Sequence, residues 1–236
     1  MGRSGILIAG SENGGSDIPA RSRSRGTFTA VLGDVLLGMS TGLLAYYALT
    51  ALVGGGGQAG LRAEAEWAGA PVAEAGPLLD FEGWAEEDRA YWDSLQAGGA
   101  FGRIVCEAMG LDAMVVKGSE PADLRRGPGW VEWTDPPGPT GNAGIAGHRT
   151  TYGAPFRRID DVREGDVIEF YSPFRRYRYR VERTEVVPPS RGSVMAHTEE
   201  PRLTLSACHP PFSARSRFIV HSRLVEVSRL VGEEGS

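Results

Sequence analysis

Three residue types in this chain could together carry out acyl transfer. Cys208 lies in Leu203-Thr204-Leu205-Ser206-Ala207-Cys208-His209-Pro210-Pro211. An apolar run leads into it and a double proline stops that run, so the thiol is expected at a strand end beside a loop, where it is accessible. As a thiolate it could form a covalent acyl intermediate. A cysteine next to a histidine also arises by chance, and that reading stands beside the first. His148 lies in Gly144-Ile145-Ala146-Gly147-His148-Arg149-Thr150-Thr151-Tyr152-Gly153. Again an apolar run delivers a polar side chain into a glycine-bounded loop, which is the exposure an acid/base imidazole needs. A turn histidine bonded to backbone would look the same. Arg215 and Arg217 both precede Phe218-Ile219-Val220. A guanidinium stays charged at any working pH and offers a fixed fork of donors. It could hold a peptide carbonyl or a developing oxyanion, or be a solvated charge at a strand start.

The elements that must position these groups read as β-structure. From about Phe101, short runs rich in Val, Ile, Tyr and Phe alternate with Gly and Pro turns: residues 143–146, 167–171, 177–187, 202–206, 218–220 and 224–231. Such spacing predicts an all-β barrel or sandwich. In Tyr177-Arg178-Tyr179-Arg180-Val181 apolar and basic residues alternate, giving a strand with one face in and one face out. The mixture of basic and aromatic residues reads as a solvated strand face. The net charge of −5 argues against a general nucleic-acid binder, which needs a basic surface to displace counterions. Only two cysteines are present, Cys106 and Cys208, and no CxxC pair suggests a metal or haem site. They could form one bridge, or be one structural and one reactive thiol. No metal and no cofactor is expected.

Upstream the composition changes twice. Residues 1–26 are rich in Gly, Ser and Arg and are expected to be a flexible cytoplasmic tail. Residues 27–53 are almost wholly apolar, with Asp34 as the one charge; the 19 uncharged residues from 35 to 53 would span roughly 28 Å as a helix, enough to cross a bilayer. The length exceeds that of a signal peptide, and the near absence of a polar stripe argues against a core helix. Arginines precede the span, so the N-terminus is expected in the cytoplasm and the rest of this single-pass protein outside the cell membrane. Gly54-Gly55-Gly56-Gly57 is expected to break the helix, and residues 54–100 to be an extracellular acidic spacer. Between Leu61 and Leu95 that spacer has nine acidic residues against two basic ones. Its later part carries Trp84, Asp88, Tyr91 and Trp92 at helical spacing.

Taken together, these pieces match a known pattern. The order is His148, then about sixty residues, then Thr-Leu-x-x-Cys, then an arginine nine residues on before an apolar strand. It resembles the sortase family of cysteine transpeptidases. Further blocks resemble its class E, the actinobacterial branch: Leu124-Arg125-Arg126-Gly127-Pro128-Gly129, Gly141-Asn142, Gly147-His148-Arg149-Thr150-Thr151-Tyr152-Gly153-Ala154-Pro155-Phe156, and Cys208-His209-Pro210 through Phe212-Ser213-Ala214-Arg215. The resemblance runs from about Ile104 to Val231. It implies an eight-stranded β-barrel over residues 101–232, with Cys208 as nucleophile, His148 as acid/base and Arg217 as the arginine. Arg217 is chosen over Arg215 because it directly precedes the Phe-Ile-Val run. Thr151, Tyr152, Ala207 and Arg215 are the expected substrate-binding positions.

The implied reaction cleaves a sorting signal of the Leu-Ala-x-Thr-Gly or Leu-Pro-x-Thr-Gly type between Thr and Gly. It joins the surface protein to a cell-wall amine such as that of lipid II or peptidoglycan. Three positions depart from the family pattern: Ala207 replaces a threonine, Trp130-Val131-Glu132-Trp133 replaces a His/Tyr-Pro-Gly type stretch, and Cys106 stands where proline is usual. The first two keep open a catalytically weak binding or assembly module. A third reading, an L,D-transpeptidase, calls for Ser-x-Gly-Cys, whereas this chain has Ser206-Ala207-Cys208.

Overall fold

The computed structural model describes residues 23–69 and 78–230. The chain divides into two units, residues 1–44 and residues 45–236. Residues 1–22, most of the expected cytoplasmic tail, lie outside the described residues. A helix, α1 (Arg23–Glu64), already begins at Arg23. It is long and apolar enough to cross a membrane, by length and composition.

The second unit is built on eight strands: β1 (Ala100–Cys106), β2 (Leu111–Lys117), β3 (Gly129–Trp130), β4 (Asn142–Gly147), β5 (Val167–Tyr171), β6 (Arg175–Val187), β7 (Arg202–His209) and β8 (Ser216–Arg229). They close into a barrel in the order β1-β2-β3-β4-β7-β8-β6-β5. Closure leaves no free edge, and the alternation of side chains along each strand fills the interior. In β6, Tyr177, Tyr179 and Val181 point into the core, while Arg176 and Arg178 face outward and pair with Glu169 and Glu226. The alternating basic residues are thus an ion-paired outer face. The expected runs 218–220 and 224–231 are joined, as far as Arg229, in one strand rather than two. The polar residues between them are satisfied in place: Ser222 donates to the Leu203 carbonyl at 2.8 Å, and His221 Nε2 meets Glu185 at 2.9 Å.

Two expectations about the stretch before the barrel are corrected. The four glycines do not end α1, which continues to Glu64. At two of them the missing side chain lets the helix lie close to the rest of the fold: a Cβ on Gly54 would stand 2.4 Å from the Tyr152 carbonyl carbon, and one on Gly57 2.7 Å from Arg126 Cα. Gln58 locks this contact, accepting from the Met114 N–H and donating to the carbonyls of Met114 and Arg126. Helix propensity alone would oppose glycine here; burial of the stripe Thr50, Gly54, Leu61 and Ala65 overrides it.

Nor is the acidic stretch a free spacer. Helical turns Ala85–Arg89 and Ala90–Ser94 (α2) pack on the barrel. Trp92 stacks on Phe101 at 5.1 Å, and Phe101 on Trp130 at 4.7 Å. Asp88 and Glu87 pair with the fully buried guanidinium of Arg175 on β6, and Arg229 on β8 holds the other oxygen of Glu87. Glu87 and Asp88 are therefore countercharges for Arg175 and Arg229, and the folded unit begins well before Phe101.

Burial pushes the Asp88 carboxyl above its ordinary range even against the pull of Arg175. Arg175→Met removes its main countercharge. We expect a loss of about 3–5 kcal/mol in urea unfolding at neutral pH. Part of that loss should be recovered as the pH is lowered and Asp88 takes a proton, because a raised carboxyl stabilises below its pKa and destabilises above it. A variant as stable as the parent at neutral pH would contradict the buried pair.

Candidate active site

Strand register brings the three candidate residues to one rim. β4 runs parallel to β7, with Gly147 beside Ala207 as the last matched pair. The next residue on each path is His148, just past the end of β4, and Cys208, still within β7, so the two stand side by side, about 5 Å apart across the strands. On its other flank β7 runs antiparallel to β8, and there Cys208 sits directly opposite Arg217. Directly opposed residues project to the same face. Cys208 is thus the middle member of a row with histidine on one side and arginine on the other.

The environments of the three differ. Cys208 is half-buried and unpaired, as an accessible nucleophile must be. Cys106 is also a free thiol, but it is 1% exposed at the end of β1, and burial pushes its thiol pKa up. His148 is half-buried; burial, and then the nearby cation of Arg125, hold its imidazole pKa below the usual value. Its ring lies 5.1 Å from that of Tyr152, which in turn sits under the Arg125 guanidinium at 5.9 Å. Arg217 donates to the carbonyls of Ala214 and Ser216 at 3.1 and 3.2 Å, which orients its fork at the strand start. Arg215 lies exposed in the loop before β8.

The other expected substrate positions separate. Thr151 and Tyr152 belong to the loop after His148 and are half-buried beside it. Tyr152 and Ala154 hold left-handed backbone, φ 52° and 46°, on either side of Gly153. Ala207 does not share the face that carries Cys208. It is buried in the core, on the strand face opposite Cys208, so a hydroxyl at this position would point inward. Trp130 is likewise part of the aromatic core stack, while Trp133 is exposed.

One functional neighbour escaped the sequence reading. Arg149, whose side chain is 2% exposed, pairs with Asp160 and contacts His209 Nδ1 at 3.0 Å. It follows His148 directly, and His209 follows Cys208 directly, so this bridge ties the loop that carries His148 to the end of the strand that carries Cys208. The signal available in the sequence was only a charged residue next to each candidate.

The barrel topology and this rim define a protein of the sortase fold. A family model described as Sortase domain matches residues 104–225, more than half of the chain, and the chain belongs to the sortase family, whose members are generally cysteine transpeptidases. It is 33% identical over 100 residues to Sortase SrtE1 of Streptomyces coelicolor, covering 39% of this chain and 28% of that protein. It is 26% identical over 135 residues to Sortase D of Bacillus subtilis, covering 55% and 66%. The chain thus spans less than two thirds of the length of these curated relatives. Among solved structures, sortase E1 of Streptomyces coelicolor with a tripeptide in its active site is similar at 27% identity and TM-score 0.53, covering 57% of this chain and 94% of that one. A sortase D5 transpeptidase of Clostridium perfringens is similar at 28% and 0.54, covering 59% and 88%. Class E sortases are therefore among its relatives.

A titration followed by imidazole NMR tests the electrostatics of the rim without requiring turnover. His148 should lose its proton below the ordinary histidine value of about 6.5. Arg125→Ala removes a cation that disfavours imidazolium, so the midpoint should move up, towards that value. A midpoint unchanged by the substitution would show that Arg125 does not reach His148 electrostatically.

Proposed function

We propose that this protein is a membrane-anchored transpeptidase in which Cys208 is the nucleophile, His148 the acid/base and Arg217 the oxyanion and substrate anchor. The observation that carries this is the row His148–Cys208–Arg217 across three adjoining strands. The donor is a surface protein with a Leu-Ala-x-Thr-Gly or Leu-Pro-x-Thr-Gly sorting signal, and the acceptor is a cell-wall amine of the lipid II or peptidoglycan type. α1 is the anchor, with the N-terminus in the cytoplasm and the barrel outside.

The chemistry balances with these groups alone. Neutral His148 takes the proton from the Cys208 thiol as sulfur attacks the threonine carbonyl. Arg217 stabilises the tetrahedral oxyanion. The imidazolium gives its proton to the departing glycine amine, the C–N bond breaks, and a thioester to Cys208 remains. The acceptor amine then attacks that thioester; its proton passes to His148 and on to the leaving sulfur, and a new amide is released. The lowered pKa of His148 keeps it in the neutral, proton-accepting form at neutral pH.

The binding-module reading drew one of its motives from Ala207, and the burial of that residue in the core weighs against it.

The test is turnover of a quenched Leu-Ala-x-Thr-Gly peptide by the full chain in detergent, with and without an amine acceptor. We expect amine-dependent product, and a fall of roughly a thousandfold or more in Cys208→Ala. Peptide binding by both proteins with no cleavage, and no thioester trapped on Cys208, would replace the enzyme with a binding module.

A further inference from the structure

The loop joining β7 to β8 carries an apolar residue that the proposed chemistry does not use. Phe212 is 77% exposed, follows the exposed Pro210 and Pro211, and holds left-handed backbone at φ 64°. Its one ring contact is with Tyr47 of α1, edge to face at 6.4 Å. From Phe28 on, Tyr47 is the first α1 residue with a face covered, and Thr50, Gly54 and Leu61 continue the covered stripe at helical spacing. The other face of the same turns stays apolar and open, with Tyr46, Leu49, Leu52 and Val53 all exposed.

If the barrel begins to cover α1 at Tyr47, the hydrocarbon of a bilayer must end near that residue, because the polar barrel edge cannot enter it. The stretch that remains, residues 28–46, is about 28 Å long as a helix, which matches the hydrocarbon thickness, and its one charge, Asp34, then lies about 9 Å from the cytoplasmic end rather than at the midplane. Tyr46 and Tyr47 then stand at the boundary, where amphipathic rings are favoured. Phe212, packed on Tyr47, is at the same depth. Leu49, Leu52 and Val53 fall within the headgroup layer above it.

We propose that the 210–212 loop is a membrane-contacting element: Phe212 seats in the interfacial layer of the bilayer beside Tyr46 and Tyr47 and holds the rim bearing Cys208 at headgroup height. The occupant of this open apolar surface is lipid, because the surface is continuous with the helix that lipid must cover. The inference rests on α1 being the membrane span, and its consequence for turnover rests on the proposed transfer reaction. An acceptor amine carried on a lipid headgroup would meet the thioester in the layer where it already resides, whereas a water-soluble amine would gain nothing from that placement.

The experiment uses the full chain in phospholipid vesicles with brominated acyl chains, which quench tryptophan by contact. Phe212→Trp and Tyr47→Trp are compared, each after subtraction of the parent protein's emission from its five tryptophans. We expect most of the added emission of both probes to be quenched. Quenching of Tyr47→Trp with an unquenched, water-like Phe212→Trp overturns the loop's membrane role while leaving the anchor intact. An absence of quenching in both removes the membrane reading and this inference with it. A second arm compares Phe212→Ser with the parent in vesicles, using a lipid-linked amine and a soluble amine as acceptors. A severalfold loss confined to the lipid-linked acceptor supports the proposal. An equal loss with both would mean that Phe212 touches the donor peptide instead, and would overturn it.

Discussion

The parallel pairing of β4 with β7 is the constraint on which the site depends. A parallel pair cannot be made by a hairpin, so the chain must travel through β5 and β6 before it returns to lie beside β4. That excursion is what separates His148 from Cys208 by about sixty residues and then sets them at matching ends of neighbouring strands. β8 closes the other side of β7 through a short loop, residues 210–215, which is why the arginine opposite Cys208 is only nine residues away. A slip of one residue in either pairing would turn one of the three side chains to the other face. The Arg149 contacts to Asp160 and His209 act two residues beyond the last β4–β7 pair, where that ladder no longer fixes the loop after β4.

A second layer of order comes from outside the matched family region. Arg175 is buried on β6 and would be costly there without countercharge. The turns at 85–94 supply Glu87 and Asp88 and, in the same short segment, the Trp92 ring that stacks on Phe101. Charge compensation and aromatic packing are thus delivered by one piece of chain lying across the barrel. The end of α1 adds another, docking through Gly54 and Gly57, the two-sided amide of Gln58 and the fully buried Leu61.

The sequence displayed the strands wherever apolar residues alternated cleanly. β5 coincides with its run, and β4, β6 and β7 extend theirs by a few residues. β2 was not singled out, since Leu111-Asp112-Ala113-Met114-Val115-Val116-Lys117 does not alternate, and β3 is only two residues long. β8 read as two pieces because buried polar residues with partners elsewhere in the fold look like a break in a linear chain. The candidate catalytic residues were visible by type and spacing, and the register explains that spacing. The orientation of Ala207 could not be separated from its position in the motif, because local sequence does not say which face of β7 is core. The countercharge role of Glu87 and Asp88 was hidden for a related reason: their partner lies more than eighty residues away.

The two thiols have a practical consequence for covalent chemistry. Cys106 is sealed in the core with its thiol held protonated by burial, while Cys208 opens onto the rim. An electrophilic probe therefore meets a folded molecule with a single address, and a second adduct per chain is a sign that the barrel has come apart. Labelling stoichiometry read by intact mass thus doubles as a gauge of structural integrity, and a warhead aimed at this protein faces no competing cysteine within it.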